Sequence, residues 1–248
     1  MRSRVLVVGA ALLAAGFGAA CGGGGDEEGA SPAPSPSPVE TAREISGGEL
    51  QRMVLRQTDL GPAYQNFLLD EESGFVSKER RAENAANAAD EEQDLDRFGY
   101  LNSYVEEYSQ QSLTDPDAPL PAEGPIFIDT EVLLFGDADG AAGYIADDLT
   151  DEMGYVGLAV LGGRLESFDE FDVAGVGDAA WGGRERVVFE AESGEEFRYY
   201  LTGIEVQRGQ LVGFVVLLRV DDEDVSTEAI SLARQLDERI QAVLAGDS

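Results

Sequence analysis

Hydrophobic and polar positions follow recognisable periods along most of this chain. Val5 to Ala20 carries no charge. Leu50, Met53 and Val54 recur at helical spacing and predict a short helix near Gly48–Gln57, stopped by Gly61-Pro62. Tyr64–Leu69 reads as a strand. Glu71 to Asp96 is charged and alanine-rich, either a surface helix or a flap, and its low apolar content places it outside the core. From Phe98 to Tyr108 the pattern alternates, so Phe98, Tyr100, Asn102, Tyr104, Glu106 and Tyr108 share one face of a predicted strand.

A proline-rich loop (Pro116, Pro119, Pro121, Pro125) leads to a strand over Ile126–Phe135, apolar on both faces. A helix over Asp139–Met153 follows, with Ala142, Ile145, Leu149 and Met153 as its apolar stripe and Asp137 or Asp139 as N-cap. Phe168–Val173 predicts a strand and Gly175-Val176-Gly177-Asp178 a tight turn. Arg184–Ala191 and Phe197–Val206 predict a hairpin turning at Ser193-Gly194. Leu211–Val220 is almost wholly apolar, as a central strand covered on both faces requires. Ala229, Leu232, Ala233, Leu236, Ile240, Val243 and Leu244 form a helical stripe, begun by Asp224 or Ser226 and ended by Gly246. Together these elements predict an α+β fold, an antiparallel sheet of about 5–7 strands packed against two or three helices.

The chain divides as 1–20, 21–44 and 45–248. Met1-Arg2-Ser3-Arg4 and the uncharged stretch after it have the form of a signal peptide, too short and too small-sided for a comfortable membrane span. Small residues precede Cys21, the chain's single cysteine. Gly18-Ala19-Ala20-Cys21 resembles the lipobox of bacterial lipoproteins, with Gly18 where that pattern usually carries Leu. The resemblance implies cleavage after Ala20, lipid on the Cys21 sulfur and an extracytoplasmic location on the cell membrane. The competing expectation is an ordinary secretory signal with Cys21 incidental.

Four glycines, an acidic run and alternating Ser31-Pro32-Ala33-Pro34-Ser35-Pro36-Ser37-Pro38 follow. Such a linker is disordered or extended, and about 25 residues of it stand a domain some 30 Å off a surface. The order of elements, with Asp59-Leu60-Gly61-Pro62 and Gly175-Val176-Gly177-Asp178-Ala179, is similar to extracytoplasmic sensor-like domains on actinobacterial lipoproteins and receptor kinases. That resemblance implies an antiparallel sheet with helices on one face, and no chemistry.

Composition narrows the function. Against 49 Asp+Glu stand 17 Lys+Arg and no histidine, a formal charge of -32. Loss of Arg2 and Arg4 with the leader leaves 15 bases, and the charge becomes -34. Such a surface repels nucleic-acid backbones and anionic bilayers, so a lipid has to do any anchoring. Cationic or protein partners are favoured instead. The lack of histidine removes Ser-His and Cys-His nucleophile pairs, and no cofactor motif is present.

The remaining candidates are weak. Asp137 and Asp139, with Asp147-Asp148, suggest a calcium loop, but helical periodicity begins at once and capping explains them better. Asp221-Asp222-Glu223-Asp224 would hold a divalent ion loosely, or simply favour a helix start. Tyr100, Tyr104 and Tyr108, with Trp181, Tyr199 and Tyr200, would line a ligand groove or pack a sheet face. The expectation is a non-enzymatic, lipid-anchored binding or sensing protein. The alternative is a carboxylate-dependent hydrolase acting on envelope polysaccharide.

Overall fold

A computed structural model describes residues 43–84, 88–110, 121, 123–154, 159–160, 163–190 and 196–246. In chain order the elements are α1 (Gly47–Met53), β1 (Leu68–Leu69), β2 (Gly74–Val76), α2 (Lys78–Asn84), α3 (Ala88–Arg97), β3 (Tyr100–Ser109) and β4 (Pro125–Phe135). Then come α4 (Ala138–Gly154), β5 (Ala159–Val160), β6 (Gly163–Phe171), β7 (Ala179–Glu190), β8 (Glu196–Arg208), β9 (Leu211–Arg219) and α5 (Ser226–Ala245). The strands form one antiparallel sheet in the order β1-β3-β4-β9-β8-β7-β6-β5, with β2 also paired to β3. The α+β expectation holds. Six long strands carry the sheet, while β1, β2 and β5 are two or three residues each.

The two faces differ. On the first, α1 and α5 lay Leu50, Met53, Leu232, Leu236 and Ile240 against Ile128, Val132, Ile204 and Val215. The stripe read from α5 is the buried one: Ala229, Leu232, Ala233, Leu236, Ile240 and Val243 are all inside. Gly213 admits Leu236, since a Cβ there would come within 2.9 Å of that side chain. Gly246 ends α5 at φ 85°, a left-handed cap that glycine adopts without steric cost. At the other end Asp224 Oδ1 accepts the Ser226 N–H at 2.9 Å. Arg208 grips Asp237 of α5 through Nε and Nη2 (2.9 and 2.8 Å) and reaches Asp178 in the β6–β7 turn at 2.7 Å, tying three segments together.

On the second face α3 and α4 contribute Leu95, Ala141 and Tyr144, which pack on Tyr100, Leu133, Phe135 and Val212. Ala142, expected on the apolar stripe of α4, is exposed. The helix is turned so that the Tyr144 ring meets Phe135 at 5.1 Å and Phe98 at 6.1 Å. The side chains of Leu149 and Met153 lie outside the described residues, as do Pro116, Pro119 and the Ser193-Gly194 turn.

Three other expectations are corrected. Tyr64–Leu69 is a 3-10 turn at Pro62–Tyr64 followed by the two residues of β1, because Pro62 starts a helical turn. Strand β7 begins at Ala179, not Arg184, running through Gly182 and Gly183. Gly182 makes room for the Phe171 ring of β6, and Gly183 for the rings of Phe168 on β6 and of Trp181 on β7 itself. The segment 71–96 is neither detached nor wholly superficial. It forms β2, α2 and α3, and Arg81, Ala82, Glu91 and Leu95 are buried.

Candidate functional site

Alternation along β3 and β4 sends Glu107, Asp129 and Glu131 to the second face of the sheet, where Glu107 pairs directly with Asp129 and Val105 with Glu131. All three are buried, Asp129 and Glu131 to 1% exposure. Helix α2 lowers Arg81 onto them. Arg81 is 5% exposed and forms an ion pair with Glu131. Ser103 Oγ lies 2.5 Å from Glu131 Oε1 and 3.4 Å from Arg81 Nη2. The Tyr100 hydroxyl sits 2.9 Å from Ser103 Oγ and 2.8 Å from the Val76 carbonyl oxygen, and the Arg81 guanidinium lies over the Tyr100 ring at 5.5 Å. Glu91 of α3 is buried beside Arg81.

Acids outnumber cations here. Burial pushes the Glu107 carboxyl up to about 7, with the Asp70, Glu131 and Glu72 charges adding to it. Burial raises Asp129 well above the ordinary carboxylate range, helped by Glu107 and Glu131. Burial also raises Glu91 to about 7, though Arg81 opposes that rise. Burial works against the Arg81 charge, but the adjacent Glu131 carboxylate prevails and its pKa rises. Among the described residues Asp129 Oδ1, Glu131 Oε2, Arg81 Nε and Arg81 Nη1 find no hydrogen-bond partner. Chemically this is a proton-holding cluster clamped by a guanidinium. Among the described residues no group of three Asp, Glu, His or Cys side chains is arranged to hold a metal ion.

A second polar feature shares this face farther across the sheet. Glu185 on β7 is 3% exposed, and its Oε2 finds no hydrogen-bond partner among the described residues. Burial alone raises it to about 7. Nearby, the half-buried Phe168 and Trp181 rings stack at 5.5 Å and 16°.

The aromatic candidates do not converge. Leu101 is an extra residue in β3: Tyr100 pairs with Phe135, but Asn102 pairs with Leu134. This bulge puts Tyr100 on the second face and leaves Tyr104 and Tyr108 on the first. Phe98, Tyr100, Asn102, Tyr104, Glu106 and Tyr108 therefore do not share one face. Tyr104 accepts from Gln51 Nε2 (3.0 Å) and Tyr108 from the Gln57 N–H (2.9 Å), which pins the segment after α1. Tyr199 packs edge-on against Phe189 at 5.2 Å, and Tyr200 lies under Arg184. Trp181 is opposite Glu205, six residues from Tyr199 along β8, roughly 20 Å at 3.3 Å per residue.

The acidic candidates are occupied individually. Asp221 takes two hydrogen bonds from Arg219 (2.7 and 3.0 Å) and one from the Gly124 N–H (2.5 Å). Asp222 pairs with Arg184 at 2.7 Å, and Asp224 serves Ser226. Asp137 Oδ1 accepts the Gly140 N–H at 2.8 Å, the N-cap role that the calcium suggestion competed with. Asp147 meets Arg97 at 3.2 Å. Ala20, Cys21 and the Asp148 side chain lie outside the described residues.

The buried acids escaped the sequence reading although a signal was present: Asp129 and Glu131 sit inside a strand otherwise apolar on both faces, where a charge is rare unless paired. Nothing marked Arg81, which stands in the polar run Lys78-Glu79-Arg80-Arg81.

No family model and no curated protein matches the chain. Among solved structures it is similar to the extracellular domain of PknH from Mycobacterium tuberculosis. The identity is 11%, the TM-score 0.49, and the match covers 82% of this chain and 98% of that one. A second similar structure is the protein of unknown function PA94 from Pseudomonas aeruginosa, at 14% identity and a TM-score of 0.26, covering 54% and 81%. Likenesses this distant carry no functional argument, and the fold rests on the architecture described above.

Proposed function

We propose that this is a lipid-anchored extracytoplasmic protein, held to the cell membrane by Cys21, whose α+β domain binds or senses a ligand or protein partner without catalysing a reaction. The observation that carries it is the arrangement of the chain's start: a basic tetrapeptide, an uncharged stretch, a lone cysteine behind Gly18-Ala19-Ala20, and a Gly/Ser/Pro linker into the folded domain. Among the described residues no helix is long and apolar enough to cross a membrane. The hydrolase alternative needs two carboxylates flanking an open cleft. The opposed pair in this sheet, Glu107 and Asp129, is buried and gives that alternative no support.

The test is fractionation of cells making the Cys21→Ser protein. The domain is expected to leave the membrane fraction for the medium or periplasm. A variant that stays membrane-bound and unprocessed overturns the lipoprotein assignment.

A further inference from the structure

Among the described residues, Glu185 is a buried carboxyl group that forms no ion pair. Its chain neighbours Arg184 and Arg186 alternate to the opposite face, where they pair with Asp222 and Glu166 at 2.7 Å each. Its cross-strand partners are Leu201 on β8 and Phe168 on β6, neither of which offers a donor side chain. A carboxylate buried with no cation and an unmet acceptor is costly, and such groups mark places where something else supplies the donor.

The surroundings give that something a shape. Gly183 lies two residues before Glu185 on the same face, under the ring pair: a Cβ there would come within 2.6 Å of Trp181 and 2.9 Å of Phe168. Gly203, its register partner on β8, is half-buried, and a Cβ there would meet nothing closer than Leu201 at 3.9 Å. Gly203 thus leaves open floor beside two half-buried aromatic rings, and the buried acids Glu185 and Glu205 share this face. Apolar surface with one fixed polar group is the usual make-up of a small-molecule site.

We propose that this patch binds a primary ammonium carried on a flat apolar body: the N–H groups donate to Glu185 Oε2, the body lies against Phe168 and Trp181, and Gly203 provides the room. An ammonium supplies both the charge and the donor that Glu185 lacks, and the aromatic faces favour a cation near them. The strongly negative chain draws cations toward it. The inference deepens the binding role proposed above by naming its ligand class. It stands or falls separately from the Cys21 assignment, which the fractionation experiment decides.

Trp181 is the only tryptophan in the chain, so its fluorescence reports on this patch alone. The full chain is titrated with 2-phenylethylamine and, separately, with 2-phenylethanol, which has a similar body and no charge. The amine is expected to change the emission saturably, and the alcohol to act about tenfold more weakly or worse, the loss of a charge-assisted hydrogen bond. Glu185→Gln should bring the amine down to the level of the alcohol. Its thermal midpoint is expected to be unchanged or higher, because an uncompensated buried charge is gone. Gly203→Val, which fills the open floor and leaves Glu185 in place, should weaken the amine by a similar factor. Equal responses to amine and alcohol, no saturation at millimolar amine, or an amine titration untouched by Glu185→Gln each overturn the proposal.

Discussion

The two faces of the sheet solve burial in opposite ways. Under α1 and α5 the contact is mostly apolar, and most of its stabilisation comes from removing apolar surface from water. Under α2 the sheet presents Glu107, Asp129 and Glu131 and meets them with the buried side chain of Arg81. The apolar contacts of the first do not titrate, although Asp237 of α5 is buried there against Arg208. The second depends on protonation and on a single guanidinium, and each acid it buries carries a desolvation cost that its partners only partly offset. Most of the fold's stability therefore belongs on the first face, and its sensitivity to conditions on the second.

The sharpest way to break this contrast is Arg81→Met at pH 8. It strands Glu131 in the interior and should cost about 3–5 kcal/mol in urea unfolding, whereas adding Glu131→Leu should recover most of the loss. If the single variant is as stable as the parent, Arg81 is not the clamp. Next comes Leu236→Ala on the aliphatic face, expected to cost about 2–5 kcal/mol at every pH between 5 and 8. A loss below about 0.5 kcal/mol would make α5 peripheral.

The smallest effect is the most diagnostic. Burial raises Glu91, Glu107 and Glu185 to about 7, so each binds its proton more tightly in the folded chain than in the unfolded one. Their stabilising contribution is complete below the ordinary carboxylate range and is lost as the pH climbs through about 7. Asp221, lowered by its Arg219 hydrogen bonds, acts the other way, losing its contribution only as the pH falls below that range. The thermal midpoint should thus be higher at pH 5 than at pH 8, with each kcal/mol moving it by roughly 2–4 °C at this domain size. A midpoint that rises from pH 5 to pH 8 would show that the acids of the second face are ionised and solvated.

The parts of the fold legible beforehand are those whose burial is periodic. The α5 stripe announces itself because one face is apolar at a single period, and β9 because its run is apolar on both faces. The α2–α3 segment does not, since its contact with the sheet is made by Arg81 and Glu91 together with Leu95, and two of those three read as solvent-facing. The tyrosine row misled for a different reason: a one-residue bulge at Leu101 reverses the alternation, and nothing in the local pattern records it. Of the candidate ligand residues, Trp181 stacks on Phe168, the cross-strand partner of Glu185, while Tyr100, Tyr104 and Tyr199 are dispersed into three separate packing clusters.

By itself the sequence determined the acidic surface, the α+β class and the packing of the last helix, because charge, period and propensity act within a few residues of one another. It also holds the leader, linker and lone cysteine on which the anchoring proposal rests. Tertiary structure alone decided which acids are buried, which of them meets Arg81, and that Glu185 meets no cation among the described residues. Those outcomes depend on strand register and on a helix laid across the sheet, which join residues far apart in the chain and leave no periodic trace in it.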